Sequence, residues 1–159
     1  MSIVPPEHYM EHGLSDDDRQ RYARHLVLPS VGEKGQIKLL ESSVLVVGAG
    51  GLGSPALMYL AAAGVGRIGI IDDDFVEESN LQRQIIHSAS SIGDAKAKSA
   101  AERISLLNPG IDVLPRVERL TESNALSVII DYDLVIDGTD NFSSRYLIGD
   151  VCEILGKTW

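Results

Sequence analysis

Ser43-Val-Leu-Val-Val-Gly48-Ala-Gly50-Gly-Leu-Gly53-Ser-Pro55 reads as a buried strand, a glycine turn and the start of a helix. Val44 to Val47 form a short, mostly β-branched apolar run, the pattern of a strand covered on both faces in a parallel sheet. Gly48, Gly50 and Gly53 fit the spacing G-x-G-x-x-G. One glycine makes the tight turn, one lets the backbone approach a phosphate, and one lets the helix pack on the strand. The helix start then offers free N–H groups and the positive end of its dipole to an anion. Pro55 is tolerated near the first turn, where its missing N–H would be unpaired anyway. Ala56 to Ala63 continue the helix and Gly64 stops it. In this strand–turn–helix context nucleotide binding is expected; a turn that serves only tight packing is the alternative.

Length and composition bound the class. The 159 residues amount to one domain with a real core, 44% hydrophobic and 23% charged. A net charge of −9 argues against a nonspecific phosphate-backbone binder, so no nucleic-acid partner is expected. No apolar run approaches the roughly 20 residues of a membrane span, so no membrane partner is expected either. The first residues lack the basic-then-apolar pattern of a secretory signal. Cys152 is the only cysteine, which excludes an internal disulfide and a C-x-x-C metal pair. A cytoplasmic protein is the expectation.

Along the chain, residues 1–14 form a flexible lead-in broken by Pro5, Pro6 and Gly13. Ser15 caps a helix with Asp16, Asp17 and Asp18 in its first turn, running to Pro29. Arg21 and Arg24 share one face of it, and a solvated basic face is their plain reading. Gln36 to Glu41 form a second short helix. Arg67 to Ile71 form the second strand, ending at Asp72, an acid placed about 20 residues past the glycine turn to bond ribose hydroxyls. A solvated acidic loop is the other reading, and suits Asp73 better. Within Ser79-Asn80-Leu81-Gln82-Arg83, a helical turn would put Asn80 and Arg83 on one side, and Arg83 could grip a phosphate. His87 has no evident partner and reads as structural. Lys96 is open between solvent and site; Lys98 reads as solvated. A helix from Gly93 to Leu107, a strand from Ile111 to Val117, a helix from Glu122 to Ile130 and a strand from Leu134 to Ile136 follow. A last helix runs from Phe142 to Leu155 and Gly156 ends it.

This alternation predicts an α/β fold: a Rossmann-like parallel sheet with helices on both faces, preceded by N-terminal helices. Ligands in such sheets bind beyond the carboxyl ends of the strands. Gly48 to Gly53, Asp72 and Gly138-Thr-Asp140-Asn141 all fall there, so three polar clusters distant in sequence converge on one crevice. Asp140 could hold Mg²⁺ there, or could be a helix-capping acid.

Arg21-Tyr-Ala-Arg24-His-Leu-Val-Leu-Pro29, the glycine loop, Asp72-Asp-Asp74, Ser79-Asn-Leu-Gln-Arg83, Lys96 and Gly138-Thr-Asp-Asn141 together resemble the adenylation domain of the MoeB, ThiF and HesA family. These are bacterial relatives of ubiquitin-activating enzymes. The resemblance runs from about Ser15 to Gly156 in the right order. It implies an ATP-dependent adenylyltransferase acting on the C-terminal glycine of a ubiquitin-like sulfur-carrier protein. The products would be an acyl adenylate and pyrophosphate. The residue matching Gly51 lies against the nucleotide in that family, and the one matching Asp72 holds ribose. Those matching Asn80, Arg83 and Lys96, within or after the Ser79–Arg83 motif that includes Leu81 and Gln82, address the phosphates. The one matching Asp140 binds Mg²⁺, with Asn141 beside it. The one matching Arg24 reaches the nucleotide of the other subunit of a homodimer.

Members of that family run on past this length, with more strands, a zinc site built from two C-x-x-C pairs and often a reactive cysteine. Here Lys157-Thr-Trp159 follow Gly156. The expectation is therefore the nucleotide half of a longer enzyme, residues 15–159 forming an adenylation domain truncated at its C-terminus, with zinc only in a longer parent chain. Two alternatives remain: an NAD-dependent oxidoreductase domain, from the glycine loop and Asp72, and a non-catalytic nucleotide-binding fragment.

Overall fold

The computed structural model describes Tyr9 and residues 13–159. Most of the expected lead-in lies outside the described residues; Tyr9 and Leu14 are buried together with Tyr22 and Leu40.

Ser15 caps α1 (Asp16–Arg21) in a capping box with Asp18. The single helix expected up to Pro29 is divided: Tyr22 leaves helical geometry at φ −99° and ψ 17°, and α2 (Ala23–Leu26) follows. Tertiary contacts account for the break. The Tyr22 ring is buried against Gly64, and its hydroxyl accepts a hydrogen bond from Asn108 Nδ2 at 2.9 Å. The next helix, α3 (Gly32–Glu41), starts four residues before the expected Gln36, its first turn concealed in the sequence by Gly32 and Gly35.

Four parallel strands follow: β1 (Ser43–Val47), β2 (Arg67–Ile71), β3 (Asp112–Arg116) and β4 (Leu134–Asp137), in the order β3-β2-β1-β4. Four helices connect or follow them: α4 (Gly53–Ala63), α5 (Lys96–Leu107), α6 (Ala125–Ile129) and α7 (Phe142–Leu155). The strands alternate across the sheet, as the two-residue side-chain period requires. Val44, Val46, Ile68 and Ile70 pack on α4 and α5 through Leu57, Ala61, Ala97, Ala100 and Ile104. Leu45, Val47 and Ile71 pack on the other face against Val128, Ile129, Ile148 and Val151 of α6 and α7. Helices thus cover both faces, as expected. β3 is an edge strand, and Pro115, which has no N–H to donate, sits within it.

The chain moves outward from β1 to β2 and β3, then returns to place β4 on the other side of β1. The order therefore reverses between β1 and β4. In sheets of this kind the crevice outside the carboxyl ends of the two strands flanking such a reversal is where ligands bind.

Candidate functional site

The glycine loop leaves β1 at Gly48, whose φ of +92° lies in the left-handed region. Gly48 N donates to Ile71 O at 2.9 Å and Gly138 N donates to Val47 O at 2.8 Å, so the loops after β1 and β4 begin on the sheet ladder itself. A Cβ on Gly48 would stand 3.0 Å from the Gly138 carbonyl oxygen, and one on Gly53 would collide with the Gly48 carbonyl oxygen. These two glycines meet internal packing demands. Cβ atoms on Gly50 and Gly51 would meet only side chains at ordinary contact, Gln84 Nε2 at 3.7 Å and Arg83 Cδ at 3.6 Å. The backbone between the tight turn and α4 is thus roofed by Arg83 and Gln84.

Ala49 is gripped from both sides. Its N–H donates to Asp72 Oδ2 at 2.7 Å, and its carbonyl accepts from His87 Nε2 at 3.0 Å. A carbonyl only accepts, so Nε2 carries the proton and Nδ1 accepts from Ser99 Oγ at 2.9 Å. The expectation that His87 has no partner is therefore corrected: its partners, thirty-eight and twelve residues away, lie on the glycine loop and α5. Burial, above all, holds the His87 imidazolium pKa below its ordinary value.

Asp72 stands at the end of β2, as expected, and its second oxygen accepts from Asp74 N at 2.8 Å. Burial pushes its carboxyl pKa up, against the lowering by both backbone hydrogen bonds. Each oxygen keeps one free lone pair for a hydroxyl. Asp73 is exposed. Lys96 is the first residue of α5 and is buried; its Nζ forms an ion pair with Asp74 Oδ2 at 2.9 Å, and its N–H donates to Asp74 O. Lys98 is exposed. A position that the sequence left open is thus a buried ammonium paired with an acid of the β2 loop.

A 3₁₀ turn, Glu78–Asn80, carries the Ser79–Arg83 segment. Arg83 N donates to Asn80 O at 3.1 Å, so the two residues lie one turn apart on the same side, as expected. Arg83 Nη1 donates to Ser79 O while its stem crosses Gly51. Asn80 is buried and bonds Ser79 Oγ; Leu81 is half-buried and Gln82 is exposed.

After β4, Asp137 Oδ1 accepts from Thr139 N at 2.8 Å and from Thr139 Oγ1 at 2.6 Å. Asn141 caps α7, its Oδ1 accepting from Ser144 N at 2.9 Å. The capping role considered for Asp140 belongs to Asn141. Asp140 is exposed and makes no hydrogen bond or ion pair among the described residues. An unengaged carboxylate at this strand end fits a hard cation, which takes oxygen ligands.

The structure does not bring Arg24 to this crevice. Its neighbour His25 bonds Gln36 Oε1 at 2.7 Å, and Gln36 Nε2 donates to Ala63 O at the far end of α4. That end is about 16 Å from the glycine loop, taking 1.5 Å for each residue of α4. Four residues that serve the site were not singled out in the sequence: Gln84, Ser99, Asp137 and Arg145. Asp137 alone carried a signal, as the acid that ends β4 next to a glycine.

Residues 22–159 match the model of the ThiF family. The chain is 57% identical over 155 residues to the adenylyltransferase and sulfurtransferase MOCS3 of Arabidopsis thaliana, covering 98% of this chain and 33% of that protein. It is 50% identical over 156 residues to the probable adenylyltransferase/sulfurtransferase MoeZ of Mycobacterium tuberculosis, covering 98% of this chain and 40% of that protein. The chain thus spans about a third to two-fifths of these curated relatives. Among solved structures it is similar to the E. coli tRNA N6-threonylcarbamoyladenosine dehydratase TcdA in complex with ATP, with a TM-score of 0.84 and 34% identity, covering 91% of this chain and 59% of that one. A family match over nearly the whole chain, joined to a glycine loop, a buried lysine and a free aspartate at one sheet end, has one meaning: the chain belongs to the ThiF family.

Proposed function

We propose that this chain binds ATP with Mg²⁺ in the β1–β4 crevice and serves adenylation of the C-terminal glycine carboxylate of a ubiquitin-like sulfur-carrier protein. The observation that carries this reading is a glycine loop covered only by the movable side chains of Arg83 and Gln84, with buried Lys96 and an unengaged Asp140 at the strands' carboxyl ends. Adenylyltransferase names among the relatives support it.

In the reaction, a carboxylate oxygen bonds to the α-phosphorus of ATP as the bond to pyrophosphate breaks. The attacking group is already an anion, so no general base is required. The chain's task is to bring two anions together and to offset the charge that builds on phosphate. The loop N–H groups and the start of α4 receive phosphate oxygens. Arg83 turns its guanidinium from Ser79 O to phosphate, and Lys96 exchanges Asp74 for it. Asp72 accepts from a ribose hydroxyl. Asp140 would hold Mg²⁺, which would supply positive charge to offset that of the phosphates. Arg24, exposed and remote from its own crevice, serves the site of a second copy in a homodimer.

Titration calorimetry checks this. MgATP is expected to bind more tightly than NAD, and Asp140→Ala to weaken the Mg²⁺-dependent part of ATP binding far more than Asp73→Ala. Tighter NAD binding would sink the adenylation reading and favour the oxidoreductase.

A further inference from the structure

We infer that Asp137 and Arg145 are a positioning pair, a clamp that holds the β4–α7 loop so that Asp140 is presented to the metal–nucleotide complex. This rests on the adenylation reading above, and adds two residues to it.

The geometry is a closed ring around Thr139. Asp137 Oδ1 takes both Thr139 donors, the N–H and the hydroxyl, while Arg145 Nη2 donates to Thr139 O at 3.0 Å. Arg145 Nε lies 3.6 Å from Asp137 Oδ2, an ion pair that closes the ring. The Asp137 side chain is 11% exposed and that of Arg145 43%, so the carboxylate is largely shielded from water while the guanidinium is reached by it from one side. Arg145 Nε is buried and makes no hydrogen bond, so its link to Asp137 is one of charge alone, while Nη2 makes the directional bond to Thr139 O. Gly138 is pinned to Val47 O and Asn141 to Ser144 N. Each residue of the loop is therefore fixed except Asp140, whose carboxylate stands between two restrained neighbours. Outer partners of this kind set ligand orientation in metal sites.

The test is ATP binding by calorimetry over a range of Mg²⁺ concentrations, with the electron paramagnetic resonance of Mn²⁺ plus ATP as a second readout. Arg145→Lys keeps the charge and loses the fork. Asp137→Asn keeps the Oδ1 acceptor and loses the charge. Each is expected to raise the Mg²⁺ concentration for half-saturation about tenfold, the usual cost of losing an outer partner, with ATP affinity in the absence of metal unchanged. If Asp137→Asn does not fold, Thr139→Val, which removes only the hydroxyl, carries the same expectation. A fall in melting temperature with an unchanged Mg²⁺ requirement would make the ring structural and overturn the inference. Asp140→Ala is the reference. If it loses the Mg²⁺ dependence and the clamp variants keep it, the clamp fails and the adenylation reading stands. If Asp140→Ala also keeps it, the metal assignment itself falls, and the clamp with it.

Discussion

His87 owes its neutral state to its surroundings. It is 7% exposed, and burial, with the positive Lys96 adding to it, disfavours a second proton against the opposing pull of the Ala49 O hydrogen bond and the Asp72 carboxylate. Its folded pKa is depressed, so the unfolded chain takes up protons first as pH falls. Stability from this group is therefore present above the ordinary histidine range and is lost as pH falls through the lower, folded value. Asp72 has the opposite sign, since its raised carboxyl pKa favours protonation of the folded form in the more acidic carboxylate range. Melting temperature is expected to fall between about pH 7 and pH 5, with a shallower slope for His87→Asn. Equal slopes in the two proteins would place the pH response elsewhere.

At the scale of elements, the passage from β1 to α4 has no spare room. The Cα of Gly53 faces the Gly48 carbonyl and lies 3.1 Å from where a Cβ on Gly138 would be. Gly53→Ala would drive a methyl into backbone, which cannot rotate away as a side chain tip can. The expected loss is about 3 kcal/mol or more of unfolding free energy, read by denaturant titration. Gly50→Ala, with only the Gln84 side chain at ordinary distance, is expected to change stability by less than about 1 kcal/mol while weakening ATP binding. Comparable stability losses at both positions would mean that Gly50 too is held by packing.

At the scale of the whole molecule, the N-terminal helices dock on the end of the sheet away from the crevice. Tyr22 OH and Ala61 O share the Asn108 amide, Arg21 donates to Leu107 O, and the His25–Gln36 pair reaches Ala63 O. These bonds fix α2, and Arg24 with it, at a distance its side chain does not span within one subunit. An arginine supplied by a partner can offset phosphate charge during transfer. On the adenylation reading proposed above, Arg24→Ala and Asp140→Ala subunits of a full-length parent, each low in ATP–pyrophosphate exchange alone, are expected to regain activity when mixed, once tagged and untagged chains have been shown to exchange. Exchange of subunits with no regained activity would leave Arg24 as a solvated cation.

What the sequence determined by itself was whatever is written locally. The apolar runs at Val44–Val47, Ile68–Ile71 and Leu134–Ile136, the glycine spacing and the alternation of strands with helices specify a parallel sheet whose carboxyl end carries Gly48–Gly53, Asp72 and Gly138–Asn141. Side-chain period and turn chemistry act over a few residues, so they are legible without coordinates. Tertiary structure alone decided the matters that depend on partners distant in sequence. It broke the first helix at Tyr22, whose partner is Asn108, and it gave His87 its two bonds. Lys96 was moved from open to buried by Asp74, and Asn141 took the cap that freed Asp140. The Asp137–Thr139–Arg145 ring joins a strand end to the second turn of a helix. A side chain's burial and pairing are set by what the fold brings to it from elsewhere in the chain, and residue type and spacing carry no record of that.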